Sequence, residues 1–130
     1  MKVLIIDDEP LVRRSLGRAL AGKGHQVFEC PDGTKGLQIW REARPDLVFL
    51  DVLMPGLTGP QVLQELEEDL RSLTKIILIS AFSGEHNLET AQRLGADCFV
   101  PKPFDDIFVV VKLAEDLKKY GNKENTDSSN

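Results

Sequence analysis

Short apolar runs alternate with stretches of helical periodicity along the chain. Val3-Leu4-Ile5-Ile6, Leu47-Val48-Phe49-Leu50 and Ile76-Ile77-Leu78-Ile79 are continuous and bounded by polar or turn residues. Runs of that kind read as strands buried on both faces. Two more strands are predicted at His25–Cys30 and Asp97–Val100. Between them, Leu11, Val12, Leu16, Ala19 and Leu20 recur at helical spacing from Pro10 to about Gly22, where Gly22 and Gly24 supply a stop. Leu37, Trp40 and Ala43 mark a second helix that must end before Pro45. A third opens at Gly59-Pro60, with Val62, Leu63 and Leu66 inward and Glu65, Glu67, Glu68 and Asp69 outward. Leu88, Ala91 and Leu94 define a fourth, closed by Gly95, and about Asp105 to Lys119 forms a fifth. Alternation of strand and helix with mostly short connections implies right-handed crossovers and a parallel α/β sheet with helices on both faces.

In the last helix the run Ile107-Phe108-Val109-Val110-Val111 is too continuous for a simple amphipathic pattern. Val109, Val110, Leu113 and Leu117 are expected on the core side, leaving Ile107, Phe108 and Val111 at the flank or outside as an apolar patch. From Gly121 on, polar residues without periodicity predict a disordered tail.

The polar residues that interrupt this pattern lie at strand ends. Asp7-Asp8-Glu9 follows the first strand, and Asp51 closes the third before Met54-Pro55-Gly56 turns the chain. In open α/β sheets ligands bind at the carboxyl edge. If the two strands are parallel neighbours, Asp7, Asp8 and Asp51 converge there, and three carboxylates repel one another unless a cation neutralises them. Hard oxygen ligands of this sort suit Mg²⁺. Ser80 follows the fourth strand and Lys102 the fifth, held between Pro101 and Pro103. A metal, a lysine and a hydroxyl around a carboxylate are the parts needed for phosphoryl transfer to an oxygen nucleophile. Asp51 is then the acceptor, and Asp7 and Asp8 hold the metal. Phe99, near the end of the fifth strand, is an aromatic that could change its packing.

Composition narrows the alternatives. A hydrophobic fraction of 42% and a charged fraction of 28% suit one globular domain. A net charge of −5 argues against direct nucleic-acid or membrane binding by the chain as a whole. No membrane-spanning run or signal-peptide pattern is present, so a cytoplasmic protein is expected. Cys30 and Cys98 form no CxxC or disulfide-rich pattern and read as reduced thiols; His25 and His86 lack ligand spacing.

On Asp7-Asp8, Asp51 with Met54-Pro55-Gly56, Ser80-Ala81 and Lys102-Pro103-Phe104, the chain resembles a receiver domain of the two-component response regulators. It is similar to the single-domain, chemotaxis-type members over about Lys2 to Lys119. The resemblance implies a flavodoxin-like fold with strand order 2-1-3-4-5, a receiver domain over residues 1–120 and a tail over 121–130. It implies that Asp51 accepts a phosphoryl group from a histidine kinase or phosphotransfer protein. Mg²⁺ would be bound by Asp8, Asp51 and the backbone carbonyl of Leu53, and through water by Asp7. Ser80 and Lys102 would bind the phosphoryl oxygens. Phe99 would turn inward with Ser80 and alter the face made by the fourth helix, fifth strand and fifth helix, which would control a partner or a second copy. Such a protein is a signalling switch that promotes its own phosphorylation and dephosphorylation, not an enzyme acting on a separate substrate. Phe99 stands where the family often has tyrosine, and Pro101 removes a backbone donor. Leu53 and Phe82 are apolar where the family tunes hydrolysis, so slow loss of the phosphoryl group is expected.

Three other readings compete. The chain could be a receiver domain cut from a longer response regulator or hybrid kinase. A phosphatase of the haloacid-dehalogenase type also uses a strand-end aspartate, but wants an acid where Leu53 stands. A flavin or nucleotide module wants a phosphate-cradling loop where Asp7-Asp8-Glu9 would repel phosphate.

Overall fold

The computed structural model describes residues 1–81 and 88–121. The elements run β1 (Lys2–Ile6), α1 (Pro10–Gly22), β2 (Gln26–Cys30), α2 (Gly33–Ala43), β3 (Leu47–Asp51), α3 (Gly59–Glu65), α4 (Glu68–Leu73), β4 (Lys75–Ser80), α5 (Leu88–Arg93), β5 (Cys98–Pro101) and α6 (Ile107–Tyr120). The strands form one sheet in the order β2-β1-β3-β4-β5, with every neighbouring pair parallel. This is the flavodoxin-like order that the resemblance implied.

Side chains on a strand alternate between faces, and here the alternation divides the core in two. Leu4, Ile6, Val48, Leu50, Ile76 and Leu78 point to one side, packing with Leu37 and Trp40 of α2, Val62 and Leu63 of α3, Leu70 of α4 and Ala91 of α5. Val3, Ile5, Leu47, Phe49, Ile77 and Ile79 point to the other, against Leu16 and Leu20 of α1 and Val110, Val111, Ala114 and Leu117 of α6. Because both faces are covered, β1, β3 and β4 read as unbroken apolar runs rather than as alternating ones. The Trp40 indole N–H donates to Thr74 Oγ1 at 3.2 Å, so this large buried side chain leaves no polar atom unsatisfied.

The expected third helix is two helices. Thr58 and Gln61 form a capping box that starts α3, but Leu66 and Glu67 are extended before α4 begins. A continuous helix would set Glu65 beside Glu68 and Asp69 at three- and four-residue spacing, where like charges repel. The break relieves this, sends Glu67 to the Arg41 guanidinium at 2.9 Å, and still buries both Leu66 and Leu70. The acids are exposed as expected. Neither Gly nor Pro marks the break.

The orientation of the last helix also needs correcting. Val110, Val111, Ala114 and Leu117 are the buried stripe, whereas Phe108 and Val109 are 64% and 63% exposed. Val109 and Val111 thus exchange the places expected from the sequence, and Ile107 and Leu113 are half-buried. The stripe keeps helical spacing (i, i+1, i+4, i+7), and the small, fully buried Ala114 lies in it. The Asp106 side chain caps the helix by accepting the Phe108 N–H at 2.9 Å.

Gly59 marks where α3 folds back on the end of β3. A Cβ there would lie 2.6 Å from the Asp51 carbonyl oxygen and 3.0 Å from the Val52 Cα, both backbone atoms that cannot swing aside. At Gly17, by contrast, an added Cβ meets the movable end of the Glu29 side chain. Gly59→Ala should therefore cost about 1–3 kcal/mol in urea unfolding. Gly17→Ala should cost less than about 0.5 kcal/mol, or stabilise, because alanine is the better helix former. Equal losses at the two sites would contradict the close approach at β3.

Candidate functional site

Register brings the acids together. Ile6 pairs with Leu50, so the residues that follow, Asp7 and Asp51, leave adjacent strands side by side. Ligand oxygens of Asp7, Asp8 and Asp51 lie within 4.8 Å of one another. Asp7 is fully buried and Asp51 is 2% exposed, whereas Asp8 faces solvent. Each buried carboxylate is tied by local backbone. Asp7 Oδ1 accepts the Glu9 N–H at 2.9 Å, and Asp51 Oδ1 accepts the Leu53 N–H at 3.3 Å. The Arg13 guanidinium donates to the Asp7 carbonyl at 2.6 Å, which fixes the start of α1 against the site.

Lys102 arrives from the far edge of the sheet. Pro101 pairs with Ser80 at the end of β5, an edge strand where proline costs no sheet hydrogen bond. The Lys102 N–H donates to the Ser80 carbonyl at 2.8 Å. From there Lys102 Nζ reaches Asp7 Oδ2 at 3.0 Å and Asp51 Oδ2 at 3.5 Å. It also reaches Glu9 Oε1 at 2.5 Å.

The charges are imperfectly balanced. Burial, and then repulsion from Asp7, pushes the Asp51 carboxyl up to about 7, although Lys102 pulls the other way. Burial works to lower the Lys102 pKa, but its hydrogen bonds to Glu9 and Asp7 outweigh this and raise it. Two buried carboxylates that repel, with the exposed Asp8 carboxylate close by, are oxygen donors that could hold a divalent cation such as Mg²⁺.

Of the residues singled out from the sequence, Asp7, Asp8, Asp51 and Lys102 meet at one point. Ser80 is buried at the end of β4 and is joined to Lys102 through the backbone. Phe99 is half-buried on β5 and packs against the cluster on the α2 side. Leu53 is 55% exposed beside the site. Phe82, His86 and the tail over residues 122–130 lie outside the described residues. Pairing of Glu9 with Lys102 was not foreseen. Its only signal in the sequence is that it follows Asp7-Asp8 before a proline, which any helix start could share. His25, isolated in sequence, meets Glu115 at 2.7 Å at the opposite end of the sheet.

The sequence model of the response regulator receiver domain matches residues 3–114. The chain belongs to the response regulator receiver family. It is 32% identical over 126 residues to the transcriptional regulatory protein CseB of Streptomyces avermitilis, covering 97% of this chain and 53% of that protein. It is 41% identical over 118 residues to the "Probable transcriptional regulator ycf27" of Porphyridium aerugineum, covering 91% of this chain and 48% of that one. The solved receiver domain of the Francisella response regulator 1452 superposes with a TM-score of 0.79 at 25% identity, covering 91% of this chain and 96% of that one. The chain thus spans about half the length of the curated relatives it matches. Receiver domains are generally non-enzymatic signalling switches that bind Mg²⁺. In this receiver no described helix is long and apolar enough to cross a membrane.

A carboxyl group whose pKa is raised on folding stabilises the native state only while protonated. Its contribution is fullest below the unfolded value of about 3.9 and is lost as pH rises to the folded value. For Asp51 that window ends at about 7. In EDTA, raising the pH from 5 to 8 should therefore destabilise the wild-type protein relative to Asp51→Asn. The variant should be more stable by about 1–3 kcal/mol at pH 8 and by less at pH 5. Millimolar Mg²⁺ should narrow the gap. Parallel pH profiles for the two proteins would refute a raised Asp51 pKa.

Proposed function

We propose that this receiver is a phosphorylation-driven switch with Asp51 as the phosphoacceptor. The observation that carries the reading is the placement of Asp51. It is nearly buried at the end of β3, within the Asp7–Asp8–Asp51 group and 3.5 Å from the Lys102 ammonium. A carboxylate so placed is aimed at whatever enters the carboxyl edge. An Asp51 oxygen attacks phosphorus, the new O–P bond forms as the P–N bond of a kinase or phosphotransfer histidine breaks, and the electron pair leaves on the imidazole nitrogen.

Asp8, Asp51 and the Leu53 carbonyl would hold Mg²⁺, with Asp7 acting through water. Bound there, the ion neutralises charge on the carboxylates and on the transferred group. Lys102 and Ser80 take the phosphoryl oxygens. The hydrogen bond from the Lys102 N–H to the Ser80 carbonyl ties those two residues together, which supports movement of one with the other. Phe99, half-buried on β5, is the aromatic proposed to follow Ser80 and bias the α5–β5–α6 face between two packings. The same carboxylate is the site of hydrolysis back to the resting form.

The output is exerted on a partner, a second copy or an appended domain, rather than by this acidic domain binding nucleic acid itself. CseB is named a transcriptional regulatory protein, and a regulatory output of that class is the reading we extend to the protein that contains this receiver. Phe108 and Val109, exposed on α6, are the proposed apolar contacts of the output face.

Acetyl phosphate with Mg²⁺ should add one phosphoryl group to the wild-type protein by intact mass, and none to Asp51→Asn. Full labelling of the variant would refute the assignment. Phe108→Glu should leave phosphorylation intact while weakening any beryllofluoride-induced self-association or partner binding by about tenfold or more, as loss of a central aromatic contact does. A folded Phe108→Glu variant that responds like the wild type would move the output surface elsewhere.

A further inference from the structure

Three carboxylates lie within reach of the Lys102 ammonium, and they are not equivalent. Asp7 is fully buried, and its other oxygen is engaged by the Glu9 N–H. Asp51 is nearly buried, and its other oxygen is engaged by the Leu53 N–H. Glu9 makes the shortest contact, 2.5 Å, yet its side chain is 54% exposed. Lys102 is buried, but the Glu9 carboxylate itself can turn into water and be solvated there, so of the three partners it is the one most easily given up. Glu9 also occupies the N-cap of α1, where a polar side chain ordinarily accepts a helix N–H, but it makes no capping bond. Its carboxylate is directed across the site instead, onto Lys102.

We infer that Glu9 is a releasable latch on Lys102. It is a positioning residue that holds the ammonium in the resting protein and must let go before Lys102 meets the incoming phosphoryl oxygens. This rests on the reading of Asp51 as acceptor and Lys102 as its phosphoryl partner. No atom of Glu9 enters the reaction. With acetyl phosphate as donor, an Asp51 oxygen bonds to phosphorus, the P–O bond to acetate breaks, and acetate leaves with the electron pair. Around that step the ammonium exchanges one N–H···O contact, from Glu9 Oε1 to a phosphoryl oxygen. Asp7 stays in place because it is buried and tied on both oxygens. Glu9 is the partner that can be given up, so the strength of its hold sets part of the barrier to phosphorylation.

The latch differs from simple repulsion of an anionic donor by a fourth carboxylate. Shortening Glu9 by one methylene keeps the charge but withdraws the carboxylate from Lys102. Initial rates of phosphorylation by acetyl phosphate with Mg²⁺, followed by intact mass, should be compared for wild type, Glu9→Gln and Glu9→Asp after thermal melts confirm folding. The latch predicts that both variants are faster than wild type by roughly two- to fivefold, the range expected for loss of a partly exposed ion pair. A faster Glu9→Gln with Glu9→Asp at the wild-type rate would mean charge repulsion alone and would overturn the latch, as would equal rates for all three proteins. Failure of the wild-type protein to take up any phosphoryl group would instead overturn the phosphoacceptor reading, and the latch with it.

Discussion

Two buried carboxylates, Asp7 and Asp51, share one buried ammonium at the carboxyl edge of the sheet. Unit charges about 4 Å apart interact by about 4 kcal/mol at a dielectric typical of a protein surface. That is a large share of the 5–15 kcal/mol or so by which a domain is stable. The carboxylates cannot separate, because parallel pairing of β1 with β3 places them side by side. The sheet holds the two acids together, and burial first, then repulsion from Asp7, raises the Asp51 pKa. Carboxylates outnumber the ammonium there, so binding that adds positive charge relieves the site.

The sheet can impose this arrangement because its central strands are packed on both sides. β3 is buried along its whole length, and α3 closes on its end so tightly that only glycine fits at position 59. The backbone carrying Asp51 therefore has little room to relax away from Asp7. Lys102, by contrast, comes from an edge strand and is tied to Ser80 by one backbone hydrogen bond. Rigid acids and a lysine on the less constrained side are compatible with the switch proposed for Asp51.

Most of the elements were legible in the sequence because burial on both faces leaves unbroken apolar runs, and because caps and turns carry their own residues. Asp32 caps α2, Pro55-Gly56 turns the chain in the loop between β3 and α3, and Gly95 follows α5 with a positive φ. The break between α3 and α4 was not legible. At the break Glu67 meets Arg41, 26 positions away, a contact that no local pattern announces. The rotation of α6 was missed because Val109 and Val111 suit a helical stripe equally well, and only packing of Ala114 against the sheet decides between them.

The strand ends and the residues standing on them are legible along the chain, since alternation of strand and helix puts Asp7, Asp51, Ser80 and Lys102 at one edge whatever the details. Tertiary structure alone decided how those groups are shared. Lys102 is 95 positions from Asp7 and 93 from Glu9, and no local pattern says which carboxylate an ammonium will choose. That choice depends on which acids are buried and tied, and on which is free to turn toward water. Those are properties of three strand ends packed together and of no one segment.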